Sequence, residues 1–163
     1  MVLIDSSFEG GNIEVVDANS FDDIRLKIRK DTKSDFFQWF AFRLIGARNK
    51  PCVLKILNAA QASFPSGWED YRAVKSSDKC DWQRVPTSFK NGILEIKITP
   101  DSDAEYLSYF AMYPSERHAN LVAKCQASPD VSLSVPGFTA RGRPLEVLRF
   151  DDETKKKPVI WII

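Results

Sequence analysis

Ile24, Leu26 and Ile28 alternate with Arg25, Lys27 and Arg29, the period of two expected of a strand with one face in water. Residues 36–45, FFQWFAFRLI, are apolar on both faces apart from Gln38 and Arg43, and predict a central strand covered on both sides. Side chains alternate across a strand, so Phe40 and Phe42 fall on one face and Trp39 on the other, where Trp39 is expected to be largely buried. Residues 53–57 predict a further strand, ended by Asn58. Asn91-Gly92 is a two-residue hairpin signal ahead of Ile93, Ile96 and Ile98, which interleave with Glu95 and Lys97. Residues 106–113, YLSYFAMY, predict the last strand of this section. Short strands punctuated by turn residues predict a mainly β protein, with an antiparallel β-sandwich over 1–113.

The pattern then changes from strand to helix. Ser115 stands as an N-cap before ERHANLVAKCQ, where His118, Leu121, Val122 and Cys125 share one face at helical spacing. Pro129 follows the end of this helix. Two strands are expected next, 145–150 and 158–163, joined by a charged turn in which Lys155, Lys156 and Lys157 follow Asp151, Asp152 and Glu153. The second strand, PVIWII, is apolar throughout, as a strand buried on both faces must be. A chain ending there reads as truncated, with an edge open to pairing and aggregation. The segment 114–163 is therefore expected to begin a second domain. No internal repeat, low-complexity segment or Gly/Ser linker interrupts the chain.

Composition narrows the function classes. Of 163 residues, 44% are apolar and 12% aromatic, ample for a packed core. Lys and Arg number 23 against 22 Asp and Glu, so no global field favours nucleic acid or a membrane surface as partner. No run approaches the roughly 18 apolar residues of a membrane span. The N-terminus lacks the basic region of a secretory signal, which predicts a cytoplasmic protein. Cys52, Cys80 and Cys125 are odd in number and far apart, against a disulfide framework or a cysteine-rich zinc site.

Candidate chemistry is sparse. Triad-type catalysis needs a histidine, and His118 is the only one; on the apolar face of a short helix it reads as a hydrogen-bonded histidine at a packing interface. A zinc site within this chain would have to combine His118 with carboxylates or scattered thiols at no motif spacing. Gly10-Gly11-Asn12 is too short for a phosphate loop and reads as a turn before the first strand. The aromatic residues could form a sugar-stacking platform, but aromatic-rich strands read first as core. No catalytic, metal-ligating or substrate-binding residue is assigned in this chain.

Five segments, in order, resemble the N-terminal region of the cytosolic carboxypeptidases, a branch of the zinc carboxypeptidase family. They are GGNIEVV at 10–16; Asp31-Thr32 with QWFAFR at 38–43; LKILNA at 54–59; Trp82-Gln83-Arg84-Val85; and YFAMYPSERHANLV at 109–122. ARGRPLEVLRF at 140–150 and KPVIWII at 157–163 are similar to the opening of the family's catalytic domain. Pro136-Gly137-Phe138 and Ser115 depart from the family pattern at the junction between the two. The resemblance implies an accessory β-sandwich and the first helix and strands of an α/β zinc-carboxypeptidase domain, stopping short of the His-x-x-Glu that supplies two zinc ligands. Zinc is implied for the parent enzyme and none for this chain. In the parent, zinc would lower the pKa of its water toward ~7 and polarise the scissile carbonyl. The implied partners are the remainder of the catalytic domain and, as substrate, peptide or protein C-termini. The rival reading is a freestanding β-sandwich module that binds carbohydrate or protein.

Overall fold

The computed structural model describes residues 2–150; the strand expected at 158–163 and the charged turn before it lie outside the described residues. The chain divides into two compact units, Met1–Met112 and Tyr113–Ile163. The first carries β1 (Leu3–Asp5), β2 (Glu14–Asp17), β3 (Ile24–Lys27), β4 (Ala41–Ile45), β5 (Cys52–Ile56), β6 (Val74–Ser76), β7 (Gln83–Arg84), β8 (Thr87–Lys90), β9 (Ile93–Ile98) and β10 (Ala104–Ser108). The second carries α1 (Ser115–Gln126), β11 (Val131–Phe138) and β12 (Pro144–Phe150). The protein is mainly β, with one α-helix and two short 3-10 turns, Ala59–Gln61 and Pro65–Trp68, among the described residues.

In the first unit two five-stranded sheets, β1-β4-β10-β6-β7 and β2-β3-β5-β9-β8, share one core. Ile24 and Leu26 from β3, Leu54 and Ile56 from β5, and Leu94 and Ile96 from β9 meet Phe42 and Leu44 from β4 and Leu107 from β10. The alternation read at 24–28 is the observed one, with Ile24, Leu26 and Ile28 buried and the cations between them exposed. The hairpin signal also lands where expected. Asn91 and Gly92 take left-handed φ values of 51° and 81°, and Lys90 pairs with Ile93 across a two-residue turn.

One pair departs from the antiparallel expectation: β3 and β5 run parallel. A parallel pair needs a crossover, and here it passes through the opposite sheet, because β4 lies between them in sequence. The end of this pair is closed by Asn58, whose side chain accepts from the Ile28 N–H at 3.0 Å and donates to the Ile28 carbonyl at 2.9 Å.

The crossover also explains why 36–45 is not one strand. Only Ala41–Ile45 joins a sheet. Before it, backbone groups are satisfied without a ladder. Phe37 N–H donates to Ser63 Oγ at 2.9 Å and its carbonyl accepts from Ser63 N–H at 2.8 Å. The Trp39 carbonyl accepts from Asn12 Nδ2 at 2.9 Å, and Gln38 Oε1 accepts from Phe64 N–H at 3.0 Å. Phe40 and Phe42 are fully buried, as expected, but Trp39 is only half-buried: its indole N–H reaches out to the Gly10 carbonyl at 2.7 Å. Phe36 is exposed.

Other boundaries shift. β1 precedes the Gly10-Gly11 turn, and three residues are too few to show a period in sequence. The strand expected at 106–113 is β10, Ala104–Ser108, and the first unit ends four residues later. In the second unit Pro114 occupies the cap position and Ser115 is the first helical residue. Of the predicted helix face, Val122 is buried and Cys125 half-buried, while His118 and Leu121 are exposed. β12 pairs with β11, a strand hidden in the sequence by Pro136 and Gly137; the register shift between Ser134 and Gly137 accommodates the proline's missing N–H.

Phe42→Ala is expected to lower stability by about 3–5 kcal/mol, and Phe36→Ala by less than about 0.5 kcal/mol, read as urea midpoints. A second expectation concerns Asp5. The Ser7 backbone N–H, at 2.8 Å, and the Arg43 guanidinium, at 2.7 Å, hold its carboxyl below the ordinary 3.8. A depressed folded-state pKa contributes stability above the unfolded value that is lost as pH falls through the folded one. Asp5→Asn should therefore cost about 1 kcal/mol at neutral pH, with the gap to wild type closing below about pH 4.

Candidate functional site

The first unit carries an aromatic cluster that is core on one side and surface on the other. Phe40, Trp68 and Tyr71 are its buried members; the Phe40 and Trp68 centroids are 6.5 Å apart, and Trp68 donates its indole N–H to the Ala59 carbonyl at 2.9 Å. The Tyr71 ring stacks on Tyr109 at 4.9 Å, and its hydroxyl donates to the Tyr109 carbonyl at 2.7 Å. Burial pushes the Tyr71 phenol far above its ordinary range, so it stays a neutral donor. Tyr109 in turn touches Phe110, with centroids 4.3 Å apart.

At the outer edge of this cluster Phe64 and Phe110 are 59% and 50% exposed, so both rings face water although both are braced from behind. Together with Tyr71, Asp70, Arg72 and Arg84 they line an open hollow of about 430 Å³. The geometry around Phe64 depends on Gly67: a Cβ there would lie 2.5 Å from Phe64 Cδ1, so the ring rests directly on the glycine backbone. The two arginines come together through the β6–β7 pair. Its register sets Arg84 opposite Val74, and an Arg84 guanidinium N–H donates to the Arg72 carbonyl. Neither guanidinium has an ion-pair partner among the described residues.

In the second unit His118 Nε2 lies 3.1 Å from Glu146 Oε2, bridging α1 and β12, with the histidine side chain 47% exposed. The hydrogen bond expected of His118 is made, between α1 and β12, but the ring stands at the surface rather than packed. Two donors fall short of the three protein ligands of a catalytic zinc. Among the described residues no group of three or more His, Cys, Asp or Glu is arranged to hold a metal. Cys52 is buried, which pushes its thiol pKa up, Cys80 is exposed and Cys125 half-buried. The described residues therefore do not fit a zinc centre. No described helix is long and apolar enough to cross a membrane.

In sequence none of the hollow's residues carries a site role, although Arg84, Tyr109 and Phe110 lie in segments that carry the family resemblance. Phe64 and Phe110 look like core aromatics in a one-dimensional pattern, and Arg72 and Arg84 stand twelve positions apart with nothing to pair them until the register of β6 and β7 is known.

If a metal site were completed within this chain, it would run through His118. Elemental analysis of the purified 1–163 chain is expected to find no tightly bound zinc; stoichiometric zinc that disappears in His118→Ala would contradict this.

Comparison with known proteins places these features in a lineage. Residues 4–110 match the family described as the cytosolic carboxypeptidase N-terminal domain. The crystal structure of a metallo-carboxypeptidase from Burkholderia cenocepacia is 44% identical with a TM-score of 0.89, covering 91% of this chain and 39% of that one. A metallo-carboxypeptidase from Pseudomonas aeruginosa, solved with (2-guanidinoethylmercapto)succinic acid, is 36% identical with a TM-score of 0.88, covering 93% of this chain and 40% of that one. An uncharacterized protein of Zymomonas mobilis is 38% identical over 160 residues, which are 98% of this chain and 41% of that protein. The chain thus spans about two-fifths of the length of the relatives it matches.

Proposed function

Because the chain belongs to the cytosolic carboxypeptidase N-terminal domain family, we propose that it is the front part of a cytoplasmic zinc metallocarboxypeptidase that hydrolyses C-terminal residues from peptides or proteins. In this reading 1–113 is an accessory β-sandwich, and 114–163 opens the catalytic α/β domain. The observation that carries it is the likeness to the Burkholderia cenocepacia metallo-carboxypeptidase, at 44% identity and a TM-score of 0.89.

In this scheme the residues described here take no part in bond-breaking. The remainder of the catalytic domain supplies the ligands and is the sandwich's first partner. The sandwich shapes the rim of the cleft and limits which C-termini enter. Its physical qualification is rigidity: two sheets closed on one core, with Asn12 and Asn58 fixing the strand ends.

The test uses the full-length protein that contains this chain. It is expected to purify with about one zinc per polypeptide, to release free C-terminal amino acids from a peptide panel, and to lose that release on chelation. A full-length protein with neither zinc nor release overturns the reading.

A further inference from the structure

The hollow lined by Phe64, Tyr71, Arg72, Arg84 and Phe110 is built in a way that sheet stability does not require. Two phenyl rings are held in water, one on the Gly67 backbone and the other on Tyr109. The rings are therefore positioned before any ligand arrives, which lowers the ordering cost of binding. Beside them stand two guanidiniums without ion-pair partners among the described residues, and the Arg84 guanidinium is anchored to the Arg72 carbonyl. Asp70 is the acidic side chain in the lining, leaving a net positive hollow.

Guanidinium groups donate charge-assisted hydrogen bonds to carboxylates in a fixed fork, and aromatic faces cover apolar side chains and peptide planes. A neutral sugar would use the rings but offer the guanidiniums only neutral hydroxyl acceptors, without a counter-charge. A carboxylate flanked by apolar side chains uses all of them. We propose that this hollow docks an acidic segment of a polypeptide, with its Glu or Asp carboxylate at Arg72 and Arg84 and a neighbouring apolar side chain against Phe64 and Phe110. The proposal rests on the reading above only in taking a polypeptide as the ligand; it names a place outside the bond-breaking centre that holds the chain.

The test is fluorescence anisotropy of the 1–163 chain with labelled Gly-Glu-Phe-Glu-Gly and its neutral counterpart Gly-Gln-Phe-Gln-Gly. The acidic peptide should bind about tenfold more tightly, the worth of one charge-assisted bond. Arg72→Gln with Arg84→Gln should reduce it to the neutral peptide's level, and added salt should do the same to wild type. Phe64→Ala should weaken both peptides. Near-UV circular dichroism identifies variants that retain the fold, and Arg72→Lys supplies a milder change at the same position. Equal binding of the two peptides, no binding of either, or binding indifferent to both arginines overturns the proposal. So does Phe64-dependent binding of a cello-oligosaccharide that ignores the arginines, which would make the hollow a sugar platform. None of these readouts involves zinc or hydrolysis, so failure here is distinct from failure of the carboxypeptidase reading.

Discussion

The sandwich depends on how four residues, 37–40, satisfy their backbone while the chain crosses from one sheet to the other. An unpaired buried amide or carbonyl costs as much as a lost hydrogen bond and commonly more. Asn12 meets this cost from one side, donating to the Arg29 carbonyl at 3.0 Å and to the Trp39 carbonyl at 2.9 Å while its own backbone bridges Ala41. Ser63 meets it from the other, bonding both backbone groups of Phe37, while the Gln38 side chain accepts in return from the Phe64 N–H. The Gly-Asn and Gln-Trp-Phe segments, distant in sequence, are thus two halves of one knot. Removing either half would leave the other with buried groups that have lost their partners.

That knot accounts for what was legible in the sequence and what was not. The period of two at Ile24, Leu26 and Ile28 and the turn at Asn91-Gly92 are local facts, decided by neighbours one or two positions away. They could be read directly. The run FFQWF was misread as strand because apolarity reports burial, not who bonds the backbone, and the bonding partners sit at Asn12 and Ser63. β11 was missed for the opposite reason: Pro136 and Gly137 deny a strand locally, while pairing with β12 and a bulge permit it. The parallel pair of β3 and β5 likewise has no local signature.

The hollow was illegible for a related reason. Exposure is a property of the fold, and a phenylalanine carries no mark of whether it will face the core. Phe40 and Phe110 look alike in sequence, yet one is fully buried and the other half in water. Arg84 becomes informative only when β7 lies beside β6 and its guanidinium finds the Arg72 carbonyl. Family resemblance is written in the sequence, whereas the chemistry of the surface arises only when the chain is folded.

The order of strands also governs when this unit can be made. β4 is flanked by β1 from the amino end and by β10, whose Ser108 pairs with Ala41. The first sheet therefore cannot close until Ser108 has left the ribosome, and until then β4 has one open edge. Among the described residues, the members of that unit's core all lie at or before Tyr109. Domains fold as units during synthesis, the amino-terminal one first. Vectorial synthesis thus lets every strand of that sheet emerge before the segment behind it has left the ribosome.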